Sequence, residues 1–154
     1  MLVTGDFNLF ALPPVKRFQD LQRDKGGSIM QMLSTEYTTM MSTILDEIDG
    51  MRPTDLVKMG LPGYPFDENG LQVCTNGDTC LDSEGNEQPL ETVLTCEGDR
   101  GLRQLVDYMI LYQKPQAAIK WVDKSTRIEK FAVEGKPYAF VSDHYGLSSQ
   151  FTLA

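Results

Sequence analysis

The stretch that most constrains how this chain can fold is residues 28–49, which has the pattern of one long amphipathic helix. Its apolar side chains recur mostly at spacings of three and four residues, so they share one side of a helix with 3.6 residues per turn. They belong to Ile29, Met30, Leu33, Tyr37, Met40, Met41, Ile44, Leu45 and Ile48. Ser28 is a favourable N-cap, and Gly50 accepts the left-handed conformation that ends a helix. The sequence therefore predicts a helix over residues 28–49 on which the rest of the chain packs.

The other side of this predicted helix consists largely of Ser and Thr, which are uncharged and form helices poorly. The simpler interpretation is a core helix with a neutral outer side. The alternative is a helix buried on both sides, on one side by its own domain and on the other by a neighbouring subunit. Small hydroxyl groups favour this alternative because their desolvation costs less free energy than that of charged groups. The methionines suit such an adaptable contact; they are Met30, Met32, Met40 and Met41.

Turn signals divide the remaining chain into short elements. Further helices are predicted over residues 15–25, 54–59 and 101–113, and strands over 71–74, 79–81, 90–96, 117–122, 127–133, 138–141 and 150–154. Asn76-Gly77 is a strong hairpin signal between the first two strands. We predict an α+β fold in which an N-terminal helical half packs on a small antiparallel β-sheet from the C-terminal half. The chain is expected to form a single domain, residues 1–154, with extended arms at about 1–14 and 147–154.

The distribution of charge limits the classes of partner. The net charge is −8, and the segment from Asp67 to Asp99 holds nine acidic residues and no Lys or Arg. Such a segment repels nucleic acid, and the basic residues near the N-terminus are interleaved with acidic ones; they are Lys16, Arg17, Arg23 and Lys25. We therefore expect no direct sequence-specific binding of nucleic acid.

Two further signals bear on location. The chain has no run of eighteen apolar residues that would predict a membrane span. It also lacks a basic segment followed by an apolar core, the pattern that predicts export. We therefore expect synthesis in the cytoplasm and no membrane partner. Incorporation into a larger particle, such as a virion, is left open.

The three cysteines, Cys74, Cys80 and Cys96, are expected to be reduced thiols, although Cys74 and Cys80 could face each other across a hairpin and be oxidised. His144 is the only histidine. The composition allows a nucleophilic Cys–His pair between His144 and one of these thiols, with Asp143 as the residue that would orient the imidazole. Asp143 is poorly placed for that role, because neighbouring residues on a strand point to opposite sides. Zinc ligation by the same four residues is disfavoured because their spacing lacks a tight Cys-x₂₋₄-Cys pair.

A calcium-binding loop is the remaining metal candidate. Asp82, Glu84, Gly85 and Glu91 occupy positions 3, 5, 6 and 12 of a twelve-residue loop that begins at Cys80. Position 1 is Cys rather than Asp, and Glu87 stands where an apolar residue is expected. The preferred interpretation is a solvated acidic hairpin turn, with cation binding left open. No phosphate-binding glycine motif and no Gly-x-Ser-x-Gly elbow is present. The sequence thus predicts no catalytic, cofactor-binding or metal-binding residues.

Two functional hypotheses follow from these observations. The first is a non-enzymatic structural or adaptor subunit of a large macromolecular assembly, whose partners are other protein subunits, either the same chain as a homo-oligomer or different chains. Small acidic virion components of tailed phages share these general features. This similarity is one of general character and is not a family resemblance. The alternative is a small acidic regulatory or inhibitor protein that blocks a basic, nucleic-acid-binding site on a partner.

Overall fold

The computed structural model describes residues 1–9 and 28–153, and within these ranges the chain is built mainly of β-strands. The strands are β1 (Leu2–Asp6), β2 (Arg52–Asp55), β3 (Thr79–Leu81), β4 (Glu87–Pro89), β5 (Asp107–Gln113), β6 (Ile119–Trp121), β7 (Arg127–Glu129), β8 (Gly146–Ser148) and β9 (Phe151–Leu153). The helices are α1 (Ser28–Ile44), α2 (Leu56–Gly60) and a 3₁₀ helix at Glu97–Asp99.

An antiparallel sheet of order β1–β5–β2 forms the centre of the fold. Alternate side chains of β5 point to opposite faces of this sheet, and both faces are covered. Tyr108, Ile110 and Tyr112 lie on the face that packs against Met41 of α1. Met109 packs in a second cluster with apolar side chains of α2 and its surroundings, which include Leu56, Val57, Leu61, Val73 and Leu105. The remaining strands form the two-stranded pairs β3–β4, β6–β9 and β7–β8.

The predicted fold class is wrong. Strands predominate over helices, and α1 is the one helix of seven or more residues in the described part of the chain, so there is no helical half resting on a separate sheet. Residues 107–113 of the predicted helix over 101–113 form β5 instead, and no helix forms at 101–106. Because β5 is buried on both faces, its sequence is a nearly continuous apolar run, and the spacing of such a run does not distinguish a strand from a helix.

Helix α1 forms where the amphipathic pattern placed it but ends five residues earlier than predicted, at Ile44. Tyr37, Met41 and Ile44 face the sheet, whereas Met40 is exposed. Beyond the helix, Ile48 and Met51 pair through their backbones across Asp49-Gly50, both of which have positive φ. This tight two-residue turn, for which Asp-Gly is a preferred sequence, directs the chain into β2 instead of continuing the helix.

Several short elements also differ from prediction. The helix expected over 54–59 is α2, which starts after Asp55 caps the amides of Val57 and Lys58 at 3.0 Å. The strand at 79–81 forms as β3, but its hairpin partner is β4, so the turn lies at 82–86 and not at Asn76-Gly77. No strand forms at 71–74, 90–96 or 138–141, which are described throughout. The helix predicted over 15–25 lies outside the described residues.

Both ends of the described chain pair with strands of the same chain. β1 forms a five-residue antiparallel ladder with β5, and Phe7 stacks on Tyr108 with ring centroids 5.3 Å apart. β9 pairs with β6. Residues 2–6 and 151–153 of the segments that were expected to extend as arms, about 1–14 and 147–154, therefore form strands paired within this molecule. Residues 10–14 and 154 of those segments lie outside the described residues.

Candidate functional site

A cluster of acidic residues and the histidine lies at one end of the central sheet. Asp6 is the last residue of β1, Asp107 is the first residue of β5, and the two are Cα partners at the end of the β1–β5 ladder. The loop before β8 brings His144 to the same place. Residues that are distant in sequence thus meet where two adjacent strands end and begin.

The central contact of this site joins His144 to Asp107. The Nδ1 atom of His144 lies 2.8 Å from Oδ2 of Asp107. The side chain of His144 is 31% exposed and that of Asp107 is 14% exposed, so the carboxylate is the more deeply buried partner. A carboxylate on Nδ1 favours the tautomer that carries the proton on Nδ1, which leaves Nε2 free to accept a proton.

The electrostatic environment favours the charged imidazolium. Burial lowers the pKa of His144, but the hydrogen bond to Asp107 and the negative charges of Asp107, Asp143 and Asp6 outweigh that effect. The pKa of His144 is therefore raised above its ordinary value of 6.5. The side chain is a stronger base than a free histidine, and three carboxylates stabilise it after it takes up a proton.

The chain around Asp6 is held in a local turn. The backbone amide of Asn8 donates to Oδ1 of Asp6 at 2.8 Å, and Asn8 has a left-handed φ of 52°. Asn tolerates this conformation better than most residues. The turn fixes one carboxylate oxygen of Asp6 and places the exposed Asn8 directly beyond the end of β1.

A buried ionic network anchors the loop that carries His144. The hydroxyl of Tyr145 donates to Oδ2 of Asp78 at 3.0 Å, and Lys130 Nζ lies 2.5 Å from the same oxygen. Arg103 pairs with the other oxygen of Asp78 and, at 2.9 Å, with Asp67. Burial raises the pKa of Asp78, but the hydrogen bond from Lys130 and the charge of Arg103 reverse that effect, and the pKa is lowered overall. Asp78 is therefore a fixed anion to which Tyr145 is bound.

The three cysteines that were candidate partners of His144 differ in their burial. Cys74 is buried with Phe140 and Tyr145, and burial raises the pKa of its thiol strongly. Cys80 and Cys96 are exposed, and all three thiols are free, so Cys74 and Cys80 form no disulfide. Asp143, which the sequence indicated to be poorly placed to orient His144, contributes only its charge, while the contact at Nδ1 is made by Asp107.

The acidic residues of the candidate calcium loop are engaged within the chain. Asp82 accepts hydrogen bonds from the amides of Glu84 and Asn86, both at 2.8 Å, and thereby closes the β3–β4 turn. Glu91 accepts from the backbone amides of Leu94 and Ala139. Across residues 1–9 and 28–153, no group of three or more His, Cys, Asp or Glu side chains is arranged to hold a metal ion. None of the helices in the described part of the chain is long and apolar enough to cross a membrane.

Sequence reasoning missed Asp6 and Asp107 for an identifiable reason. Asp107 is 37 positions from His144 in sequence, and the wrong helix assignment over residues 101–113 placed it inside a helix instead of at the start of a strand. The available signal was that one acidic residue stands at the end of β1 and another at the start of β5, whereas their proximity to His144, in the loop before β8, is set by the fold.

Comparison with known proteins gives one partial similarity. No protein-family model matches the chain, and no solved structure matches it. A sphingomyelinase from Dictyostelium discoideum is 30% identical over 110 residues, a match that covers 54% of this chain. The match covers only 24% of the length of that sphingomyelinase, so the chain is similar to about a quarter of it.

Proposed function

We propose that this chain supplies the proton-accepting histidine of a hydrolytic site that cleaves a phosphodiester, with sphingomyelin as the substrate. The observation that carries the proposal is the contact between His144 and Asp107 beside Asp6 and Asp143. A paired, partly exposed histidine with a raised pKa is a typical general base. The prediction that the chain is not an enzyme is replaced here by this proposal.

The chemistry assigned to the pair is the activation of water. Nε2 of His144 removes a proton from a water molecule, whose oxygen then bonds to phosphorus while the bond from phosphorus to the alcohol oxygen breaks. Asp107 holds the imidazole in the required tautomer and stabilises the imidazolium that forms. The departing alkoxide takes up the proton that His144 removed, directly or through solvent, so that the alcohol leaves and the neutral imidazole is restored. The pair suits any hydrolysis that starts from water, and the name of the Dictyostelium relative narrows the substrate class to a phosphodiester lipid.

The charge of the site imposes a condition on this reaction. Asp6, Asp107 and Asp143 would repel a phosphodiester anion unless a cation reduces their field. The assay should therefore be run with Mg²⁺ and, separately, with EDTA.

The test measures phosphocholine release from sphingomyelin vesicles by the full chain and by two variants. His144→Gln removes the base, and we expect the rate to fall by about 10²-fold or more. Asp123→Asn alters an exposed carboxylate in the turn between β6 and β7 and should leave the rate unchanged. Equal rates for the wild-type chain and His144→Gln would reject the proposal.

A second proposal keeps the hypothesis of a non-enzymatic structural or adaptor subunit, with another copy of the chain as the partner. It is supported by an apolar groove of about 800 Å³ at the end of the central sheet opposite to Asp6 and Asp107. The lining includes Met1, Leu2, Leu111, Ile119 and Phe151. The acidic-inhibitor alternative gains no such support, since Asp67 and Asp78 of the acidic segment are paired with Arg103.

Light scattering after size-exclusion chromatography tests the second proposal. Ile119→Ser changes a groove residue that is 51% exposed, and Leu81→Ser changes a residue that is 59% exposed and does not line the groove. We expect Ile119→Ser alone to reduce the oligomer. A wild-type chain that stays monomeric at every concentration would contradict the proposal.

A further inference from the structure

Two adjacent residues, Thr75 and Asn76, connect the segment that carries Asp107 with the segment that carries His144. Thr75 is completely buried and Asn76 is 7% exposed. Both residues bind Gln104 through their backbones: their amides donate to its carbonyl at 2.8 and 3.1 Å. The two residues are thus fixed beside the chain that leads into β5.

The side chain of Thr75 holds the start of β5. Its Oγ1 atom accepts hydrogen bonds from the backbone amides of Val106 and Asp107, at 3.3 and 3.2 Å. Buried amides rarely lack a partner, and here one hydroxyl serves two of them. The position of the Asp107 backbone therefore depends on the oxygen of Thr75.

The same two residues hold the loop that carries His144. The carbonyl of Thr75 accepts from the amide of Tyr145 at 2.7 Å, and the side-chain amide of Asn76 donates to the carbonyl of Asp143 at 3.0 Å. Asn76 also forms a backbone β-bridge with His144. The residues on both sides of His144 are therefore attached to this dipeptide.

We propose that Thr75 and Asn76 are positioning residues that set the separation between the Asp107 carboxylate and the His144 imidazole. The catalytic part of this inference rests on the proposed hydrolysis, whereas the geometric part does not. Residues that orient metal ligands act in the same indirect way, and their loss typically reduces activity by about 10- to 100-fold, so we expect an effect of that order here.

The test uses the fact that His144 is the only histidine, so its ring proton signals in an NMR titration need no assignment. Thr75→Val preserves the shape of the side chain and removes the oxygen acceptor, and Thr75→Ser restores the oxygen. Each variant is first shown to be folded by circular dichroism. We expect Thr75→Val to lower the pKa of His144 towards 6.5 and Thr75→Ser to keep it near the wild-type value. Asn76→Leu is the second variant, used if Thr75→Val does not fold, and it should lower the pKa in the same way.

The kinetic arm separates this inference from the proposed function. If the wild-type chain hydrolyses sphingomyelin, Thr75→Val should lower kcat by about tenfold with little change in KM, and its pH–rate profile should move with the pKa of His144. If the wild-type chain is inactive, the hydrolytic proposal fails while the NMR result still decides the positioning role. Folded Thr75→Val and Asn76→Leu variants whose His144 titrates as in the wild type would overturn the inference.

Discussion

Asp6 and Asp107 face each other at the last rung of the β1–β5 ladder, where two like charges stand on neighbouring strands. Like charges in this arrangement repel and destabilise a sheet. His144 lies beside them and bonds to Asp107, so its protonated form offsets the repulsion. The charge of the imidazole and the pairing at the end of the sheet are therefore coupled.

The first prediction concerns Asp107→Asn. This change removes a negative charge and replaces the acceptor at Nδ1 with an amide, so the pKa of His144 should fall. NMR titration of the single histidine measures it directly. Asp123→Asn, in the exposed turn between β6 and β7, is the control and should leave the titration unchanged. An unaltered pKa in Asp107→Asn would mean that the contact seen at 2.8 Å does not persist in solution.

The second prediction concerns the dependence of stability on pH. The folded state raises the pKa of His144 above 6.5, so the folded protein binds the proton more tightly than the unfolded chain does. The resulting stabilisation is fully present below about pH 6.5 and is lost as the pH rises through the higher folded value. The free energy of unfolding of the wild type, relative to that of His144→Gln, should therefore decrease with rising pH in urea titrations. A difference that grows with pH would contradict the assigned direction.

Local patterns in the sequence predicted part of this fold. The three- and four-residue spacing of Tyr37, Met41 and Ile44 gave α1, because an amphipathic helix shows its period within its own sequence. Strand β3 likewise follows from neighbouring residues, although the Asp49-Gly50 turn stands where the sequence predicted the end of the helix. These elements need no distant contact to specify them.

The candidate site could not be predicted in the same way. β5 is buried on both faces, which erased the alternation that identifies a strand, and Asp107 was consequently assigned to a helix. The contact with His144 depends on the ladder between β1 and β5 and on the backbone bonds of Thr75 and Asn76. Each of these joins residues that are far apart in sequence, so no local pattern marks the pair.

The third prediction concerns the buried ionic network. Arg103 has a side chain that is 9% exposed and pairs with Asp78, whose side chain is 2% exposed. Arg103→Met removes one partner and leaves a buried carboxylate with less compensation, which typically costs about 3–5 kcal/mol. Arg52→Met is the matched control, because Arg52 is 79% exposed and lies 4.0 Å from Glu47; its effect should be below about 1 kcal/mol.

Urea unfolding of both arginine variants measures these differences. The double variant Arg103→Met with Asp78→Asn should recover part of the loss, since the uncompensated charge is then removed. Equal destabilisation by Arg103→Met and Arg52→Met would show that the buried network contributes no more than a surface pair.

The last prediction compares two glycines that share a backbone conformation but differ in their surroundings. Gly77 has a φ of 68° and Gly85 a φ of 83°, so alanine at either position incurs the cost of the left-handed region, about 1–2 kcal/mol. A Cβ at Gly77 would also collide with the backbone oxygen of Leu102 and lie 2.7 Å from that of Asp99, whereas a Cβ at Gly85 meets nothing within 4 Å. In urea unfolding, Gly77→Ala should therefore destabilise the fold by about 1–3 kcal/mol more than Gly85→Ala does.

Because Gly77 follows Asn76, the same variant should disturb the NMR titration of His144, while Gly85→Ala should not. Equal stabilities, or an undisturbed His144 in a destabilised Gly77→Ala, would contradict the link between this turn and the site.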